Sequence, residues 1–555
     1  MPNQLNQNQQ YLTLGAGGFF LVVYWIFGYD GITFSDDVSY LELGQRFWMG
    51  EEVLTNDHFT SRWGAYIFSG LITFLFGYND HLASLSSLIY YLGAMLMIWK
   101  TLPNPTSRGF FVLFFASNVY LLHFLTKVYP DAALVFWTAL ILFAAFYRHQ
   151  KPLWSALLMS AAFFVGFCTK ETIVFLAPLP LMLWWLDFRN KAQRLFYVYF
   201  FSSLVILAIG YLTYFSLKFE DPLFRFKSIQ DGHYISPYTY FDKDWKVMLQ
   251  RITYSPVFTF VERAYWLWFI LAVPGIFRAF KNKRDLSLIF AFSSICLILG
   301  FWFMSTSFSY YNPIYLNPRH LIILLVPFSV NIALESKRWM DNFFWNRFCS
   351  LWIAFGGFIA LGALDWKLGT YYILFAGALL LCPKPIKTVS LVILLILPTF
   401  ISVGYQKHLK NYPHLKEEFT KAMEKSRSSF PLVTHDFLLK SRGVITGNYN
   451  KAPHALALDG LKEKVRLDQQ PEEFQVFIYK YYKHAYPEEV GFVNEVNRIT
   501  ENNHYVPVNI FEDKWIKITH FKRVSPLSPF SNSEYSINIE PYSELFSWSS
   551  IDTGQ

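Results

Sequence analysis

Two adjacent carboxylates, Asp36 and Asp37, stand in "GITFSDDVSYLELGQRF", just after the first long apolar run. Neighbouring negative charges repel, so such a pair is costly unless a cation, a metal ion or a proton relieves it. A third acid, Asp131, follows a proline in "KVYPDAAL". Lys170 and Glu171 make an abrupt polar break in "GFCTKETIVFL", and Arg319 and His320 follow two prolines in "YYNPIYLNPRHLIILLVPF". Taken singly, each has an ordinary explanation. An acid after proline suits a helix start, and an arginine beside an apolar run is a snorkelling anchor. Lys170 and Glu171 would make a plain loop salt pair. His58 and His320 read as surface polar groups, because no His/Cys cluster has zinc spacing. Taken together, they suit transfer from a phosphate leaving group. An acid removes the proton of an incoming hydroxyl. Cations, with a divalent ion if the acids hold one, stabilise charge on the departing phosphate. Asp36 and Asp37, adjacent in what reads as an extended loop, would point apart and take different roles.

The elements that must position these residues are membrane spans. Hydrophobic residues are 53% of the chain and charged residues 16%, too apolar for a soluble chain of 555 residues. Segments long enough to cross a bilayer are expected at 11–29, 82–100, 109–126, 131–147, 152–168, 173–186, 195–217, 264–280, 286–304, 319–335, 348–364, 369–382 and 388–405. The first reads as a retained span, since the segment before it has no positive charge and no small-residue cleavage site follows. The four cysteines lie in or beside apolar runs without paired or ligand spacing and read as packing residues.

Every second short connection is basic: Lys100 and Arg108; Arg148 and Lys151; Arg189, Lys191 and Arg194; Arg278, Lys281, Lys283 and Arg284; Lys337, Arg338 and Arg347; Lys384 and Lys387. Those loops are expected in the cytoplasm, which sends the others and the tail outward. The segment "SRWGAYIFSGLITFLFG" (61–77) is short and carries Arg62 with small and polar residues, so it reads as an interfacial or re-entrant helix in the outer loop 30–81. Asp36, Asp37 and Asp131 then share the outer face. The spans hold almost no ionisable residues near their middles; His123, near an end, is a rare exception. A transporter needs polar sites near the midplane, so this pattern favours chemistry at the membrane surface.

The tail is polar. "HLKEEFTKAMEKS" and "PEEFQVFIYKYYKHAY" have helical periodicity, while "FPLVTHD", "GVITGNY", "VPVNIF" and "WIKITHFKR" read as strands. The expected organisation is a mainly α transmembrane catalytic domain over 1–405 and a small extracytoplasmic α/β domain over 406–555, ending in a disordered polar segment.

On these residues the chain resembles the GT-C-fold membrane glycosyltransferases of the protein O-mannosyltransferase and lipid A aminoarabinose transferase type. It is also similar in its first helices to the catalytic subunit of oligosaccharyltransferase. "SDDVSYLE" matches the acidic motif of the first outer loop, which implies Asp36 as catalytic acid/base, Asp37 as the second acid, and Tyr40 and Glu42 in support. "VYPD" matches the second acidic site and so Asp131. "CTKET" matches a lysine that implies donor-phosphate binding by Lys170 beside Glu171. "NPRHL" does the same for Arg319 beside His320. "TSRWG" offers Arg62 where relatives read Lys-Pro. The resemblance implies a polyprenyl-phosphate sugar donor and an inverting transfer to a hydroxyl of a lipid, glycan or protein. It implies the outer face of a bacterial inner membrane, and no nucleotide or nucleic acid. A divalent ion held through Asp36 and Asp131 is neither required nor ruled out. Two rival readings are a ligase or polymerase of lipid-linked glycans, and a transporter or flippase of lipid-linked sugars.

Overall fold

The computed structural model describes residues 2–189, 194–232, 239–240, 242–307, 310–447, 454–467 and 469–524. The expectations for Lys191, for "GVITGNY" beyond Gly447 and for the polar end from 525 fall outside the described residues. The chain divides into two units. The first runs to Gly28, then covers Leu43–Gly77 and Leu82–Ser402. The second comprises Tyr29–Glu42, Tyr78–His81 and the chain from Val403 onward.

The first unit is a polytopic helical bundle. Among the described residues nine helices are long and apolar enough to cross a bilayer, or eleven if each of two bent pairs counts as one span. The expected spans all fall on helices; two of them, Pro318–Leu334 and Trp366–Leu381, are shorter. The helix ends follow from local chemistry. Proline opens the helices at Pro105, Pro130, Pro152 and Pro318, where its missing N–H costs nothing. Asn104, Asn118, Asn317, Asn342 and Asp365 cap helix starts with their side chains. The span before the second acidic site is broken by 67° between Pro105–Ala116 and Val119–Leu125. Helix Pro130–Tyr147 packs against both Leu85–Thr101 and Pro152–Thr169 and lies at the core of the bundle. Helix Trp63–Phe76 is a separate short apolar helix. At Gly64 it crosses Pro152–Thr169 so closely that an added Cβ would lie 2.0 Å from Thr169 Oγ1. Arg62 immediately precedes this helix, at its N-terminal boundary.

The connection 218–263, between the expected spans 195–217 and 264–280 and so expected on the outer side, contains helices Phe224–Gly232, Trp245–Thr253 and Ser255–Glu262. Arg251 ties the second of these to the bundle, donating to the carbonyls of Phe301 and Ile314 at 2.8 Å each.

The second unit holds a five-stranded sheet: β1 (Leu432–Thr434), β2 (Ala455–Leu456), β3 (Glu473–Tyr479), β4 (Tyr505–Glu512) and β5 (Ile516–Arg523), in the order β2-β1-β3-β5-β4. β1 pairs in parallel with β2 and β3, while β5 runs antiparallel to both β3 and β4. Two expectations are corrected. "PEEFQVFIYKYYKHAY" is not one helix, because its "EFQVFIY" forms the central strand β3. A run of aromatic and β-branched residues favours a strand with neighbours on both sides, and Phe474, Val476, Phe477 and Tyr479 are buried there. "GVIT" is not a strand. Val444 and Ile445 extend the buried stripe of Phe437, Leu438 and Ser441 on helix Asp436–Thr446. That helix ends at Gly447 with φ +68°.

Candidate active site

In the first unit Arg62, Asp131, Lys170, Glu171 and Arg319 come together from helix ends far apart in the chain. Tyr129, extended before Pro130, leads into the helix whose first turn carries Asp131. Lys170 ends the following helix in an extended conformation, and its Nζ donates to Asp131 Oδ1 at 2.7 Å. Asp131 is fully buried, and its second oxygen, Oδ2, has no hydrogen-bond partner among the described residues. Burial holds the Lys170 ammonium down at about 8; Asp131 opposes that shift, while the like charges of Arg319 and Arg62 add to it.

Lys170 and Glu171 do not pair with each other, as a plain loop salt pair would. Glu171 opens a 3-10 turn, Glu171–Leu176, and receives Arg62 Nη2 at 3.0 Å and Arg225 Nη2 at 2.8 Å. Arg225 was not singled out by sequence, because it sits in a segment read as loop. It is fully buried, stands 4.5 Å over the Phe167 ring, and also donates to the Phe167 carbonyl and the Tyr211 hydroxyl. Lys127, in "KVYPD", is a further buried lysine that the sequence reading passed over. The Lys127 carbonyl accepts from Ser87 Oγ at 2.6 Å.

Arg319 lies in the short helix Pro318–Leu321, capped by Asn317, with its guanidinium 5.2 Å from the centre of the Tyr129 ring. Tyr265 donates to the Pro318 carbonyl at 2.8 Å and fixes that entrance. His320 Nδ1 stands 3.1 Å from the Tyr315 carbonyl. His58, in contrast, lies beside Asp57 at 3.4 Å. Four cations (Arg62, Lys170, Arg225, Arg319) thus gather around two acids, leaving an excess of positive charge suited to a phosphate.

The acidic pair belongs to the second unit. It does not lie in an extended loop: Asp36 and Asp37 open helix Asp36–Trp48, in its first turn. The two carboxylates nevertheless differ. Asp37 is buried and accepts from Thr33 N and Thr33 Oγ1, each at 2.6 Å, and from Ser35 N and Val38 N, each at 3.1 Å. These four hydrogen bonds tie it to the loop. Asp36 is partly exposed and accepts from Ser35 Oγ at 3.3 Å. Tyr40 is fully buried and Glu42 partly buried on the same helix.

Among the described residues no group of three or more His, Cys, Asp or Glu could hold a metal ion. At Asp131 the Lys170 ammonium already supplies the neighbouring positive charge, so the residues there fit an ammonium better than a divalent ion.

Helix order, the broken spans and the appended sheet define a polytopic membrane protein of the GT-C fold. The fold is that of ArnT from Cupriavidus metallidurans. The crystal structure of that protein bound to undecaprenyl phosphate matches with a TM-score of 0.59 at 10% identity, over 92% of this chain and 97% of that chain. Its apo crystal structure matches with a TM-score of 0.55 at 11% identity, over 90% and 96%. No family model matches the chain, and no curated protein matches its sequence.

Proposed function

We propose that this protein is a membrane glycosyltransferase that moves a sugar from a polyprenyl-phosphate donor to an acceptor hydroxyl, with inversion at the anomeric carbon. The observation that carries the reading is the cation-rich cluster of Arg62, Lys170 and Arg319 around Asp131, in a fold whose ArnT example was crystallised with undecaprenyl phosphate. A sugar linked through a phosphodiester carries one negative charge, and the departing polyprenyl phosphate carries a second. Lys170, Arg319 and Arg62 stabilise that developing charge. Asp36, the more accessible carboxylate, takes the acceptor's proton as its oxygen bonds to the anomeric carbon and the carbon–phosphate oxygen bond breaks. Asp37 holds the loop, with Tyr40 and Glu42 supporting its helix. Asp131 and Glu171 orient the cations, and His320 lines the same entrance. The acceptor is a lipid, glycan or protein, and the reaction lies on the extracytoplasmic face of a bacterial inner membrane, with the small domain on that side.

Purified protein reconstituted with a radiolabelled polyprenyl-phosphate sugar tests this. Release or transfer of the sugar with liberation of polyprenyl phosphate supports the proposal. Movement of intact donor across the bilayer without cleavage would make the protein a flippase and overturn it.

A further inference from the structure

The loop bearing Asp36 and Asp37 is folded into the C-terminal domain rather than standing alone. Asp30 Oδ2 and Lys410 Nζ form an ion pair at 3.1 Å with both side chains almost fully buried. The same ammonium donates to the Ile32 carbonyl at 3.2 Å, and Tyr479 OH fixes the Lys410 carbonyl at 2.6 Å. Tyr486 OH reaches the carbonyls of Thr33 at 2.8 Å and Phe34 at 3.1 Å. Two loop residues have positive φ, Gly31 at +95° and Phe34 at +58°. An L side chain at position 31 would place its Cβ 2.2 Å from Tyr412. The non-glycine Phe34 is costly in that conformation. Its ring is held among Tyr412, Phe437, Tyr479 and Tyr481, with centroids 5.5–6.3 Å apart. A second strip is tied to the same helix, Tyr412–Lys425. There Asp80 accepts from Tyr412 OH at 2.6 Å, Lys416 Nζ at 3.0 Å and Tyr29 OH at 2.9 Å.

We propose that the C-terminal domain sets the working geometry of the acid loop, with Tyr486 and Lys410 as positioning residues; this rests on the reading of Asp36 as the base. The path is continuous. Tyr486 holds the carbonyl of Thr33, the amide and hydroxyl of Thr33 hold Asp37, and Asp37 is the covalent neighbour of Asp36. A loop with two positive-φ residues keeps one shape only while its surroundings over-determine it.

Tyr486→Phe removes one hydroxyl and leaves the ring that stacks on Phe437 at 4.3 Å. The matched control is Tyr505→Phe, whose hydroxyl donates to the Pro471 carbonyl at 2.5 Å in the same domain, away from the loop. Misplacement of a reacting group by about 1 Å lowers kcat by as much as about a hundredfold. Tyr486→Phe is expected to show such a drop, with the donor KM unchanged and faster amide exchange over residues 30–38. Tyr505→Phe is expected to show neither change. Lys410→Arg keeps the charge against Asp30 and should retain more turnover than Lys410→Met. Equal kcat and exchange for Tyr486→Phe and Tyr505→Phe, with Asp36→Asn inactive, would overturn the positioning role alone. Full activity of Asp36→Asn would overturn the reading of the base, and this inference with it.

Discussion

Removing the Lys170 ammonium should do two separable things. Its partner Asp131 is fully buried, with one oxygen on Lys170 Nζ at 2.7 Å. Breaking such a buried pair by deleting one member costs about 3–5 kcal/mol, because a buried charge is left uncompensated. Lys170→Met should therefore lower stability by about that much. It should also remove a charge-assisted contact to the donor phosphate, worth about 1.5–3 kcal/mol. At about 1.4 kcal/mol per decade, that is roughly a 10- to 150-fold loss of affinity for a polyprenyl phosphate. The double variant Lys170→Met/Asp131→Asn deletes both charges, so most of the stability should return. Donor affinity should stay about tenfold weak, since losing the repulsion of Asp131 offsets only part of the lost contact. Thermal unfolding and equilibrium binding of a polyprenyl phosphate to the same purified samples separate the two effects. A double variant with wild-type stability and wild-type affinity would show that the pair is purely structural and that the phosphate is bound elsewhere.

Burial holds Lys170 at about 8, so donor affinity should fall as pH rises through that value, and Lys170→Arg should flatten the dependence because a guanidinium stays charged. The sign for folding is opposite. An unfolded lysine titrates at about 10.4, so between the two values the unfolded chain binds more protons and this group's contribution to stability rises with pH; titrations of binding and of unfolding should therefore diverge, and parallel curves would exclude Lys170 as their source. Asp37→Asn turns an NH2 group toward donors that now face a carboxylate, and should cost about 1–3 kcal/mol of stability with a smaller loss of turnover than Asp36→Asn; denaturant titration beside a rate assay checks this. In intact cells, single cysteines at positions 283 and 337 should resist an impermeant thiol reagent and one at 514 should react, after the native cysteines are replaced; reaction at 283 from outside would invert the orientation.

The apolar runs and proline starts made the bundle legible, because span length and helix entry are local properties. The helix start at Pro130 and the polar break at Lys170 could be read for the same reason. Partner choice could not. Lys170 bonds to an acid 39 positions away and ignores its neighbour Glu171, which pairs with Arg62 across 109 positions. Arg225 lies in the short helix Phe224–Gly232, which lacks the long apolar run that marks a span. The strand Glu473–Tyr479 was hidden because aromatic and charged residues around it mimic a helical stripe, and only pairing with β1 and β5 decides the matter. The unequal roles of Asp36 and Asp37 follow from which backbone amides face Asp37, and no spacing in the sequence reveals that.

The most direct test of the account is the rate of sugar transfer by Asp36→Asn beside the wild type, with donor affinity measured on the same folded protein. The asparagine keeps the shape of the side chain but cannot take the acceptor's proton. Turnover should fall by roughly 10²–10⁴ while polyprenyl-phosphate binding is retained. Near-normal turnover for Asp36→Asn would contradict the account, and an inactive Asp37→Asn beside it would give the base to the other carboxylate.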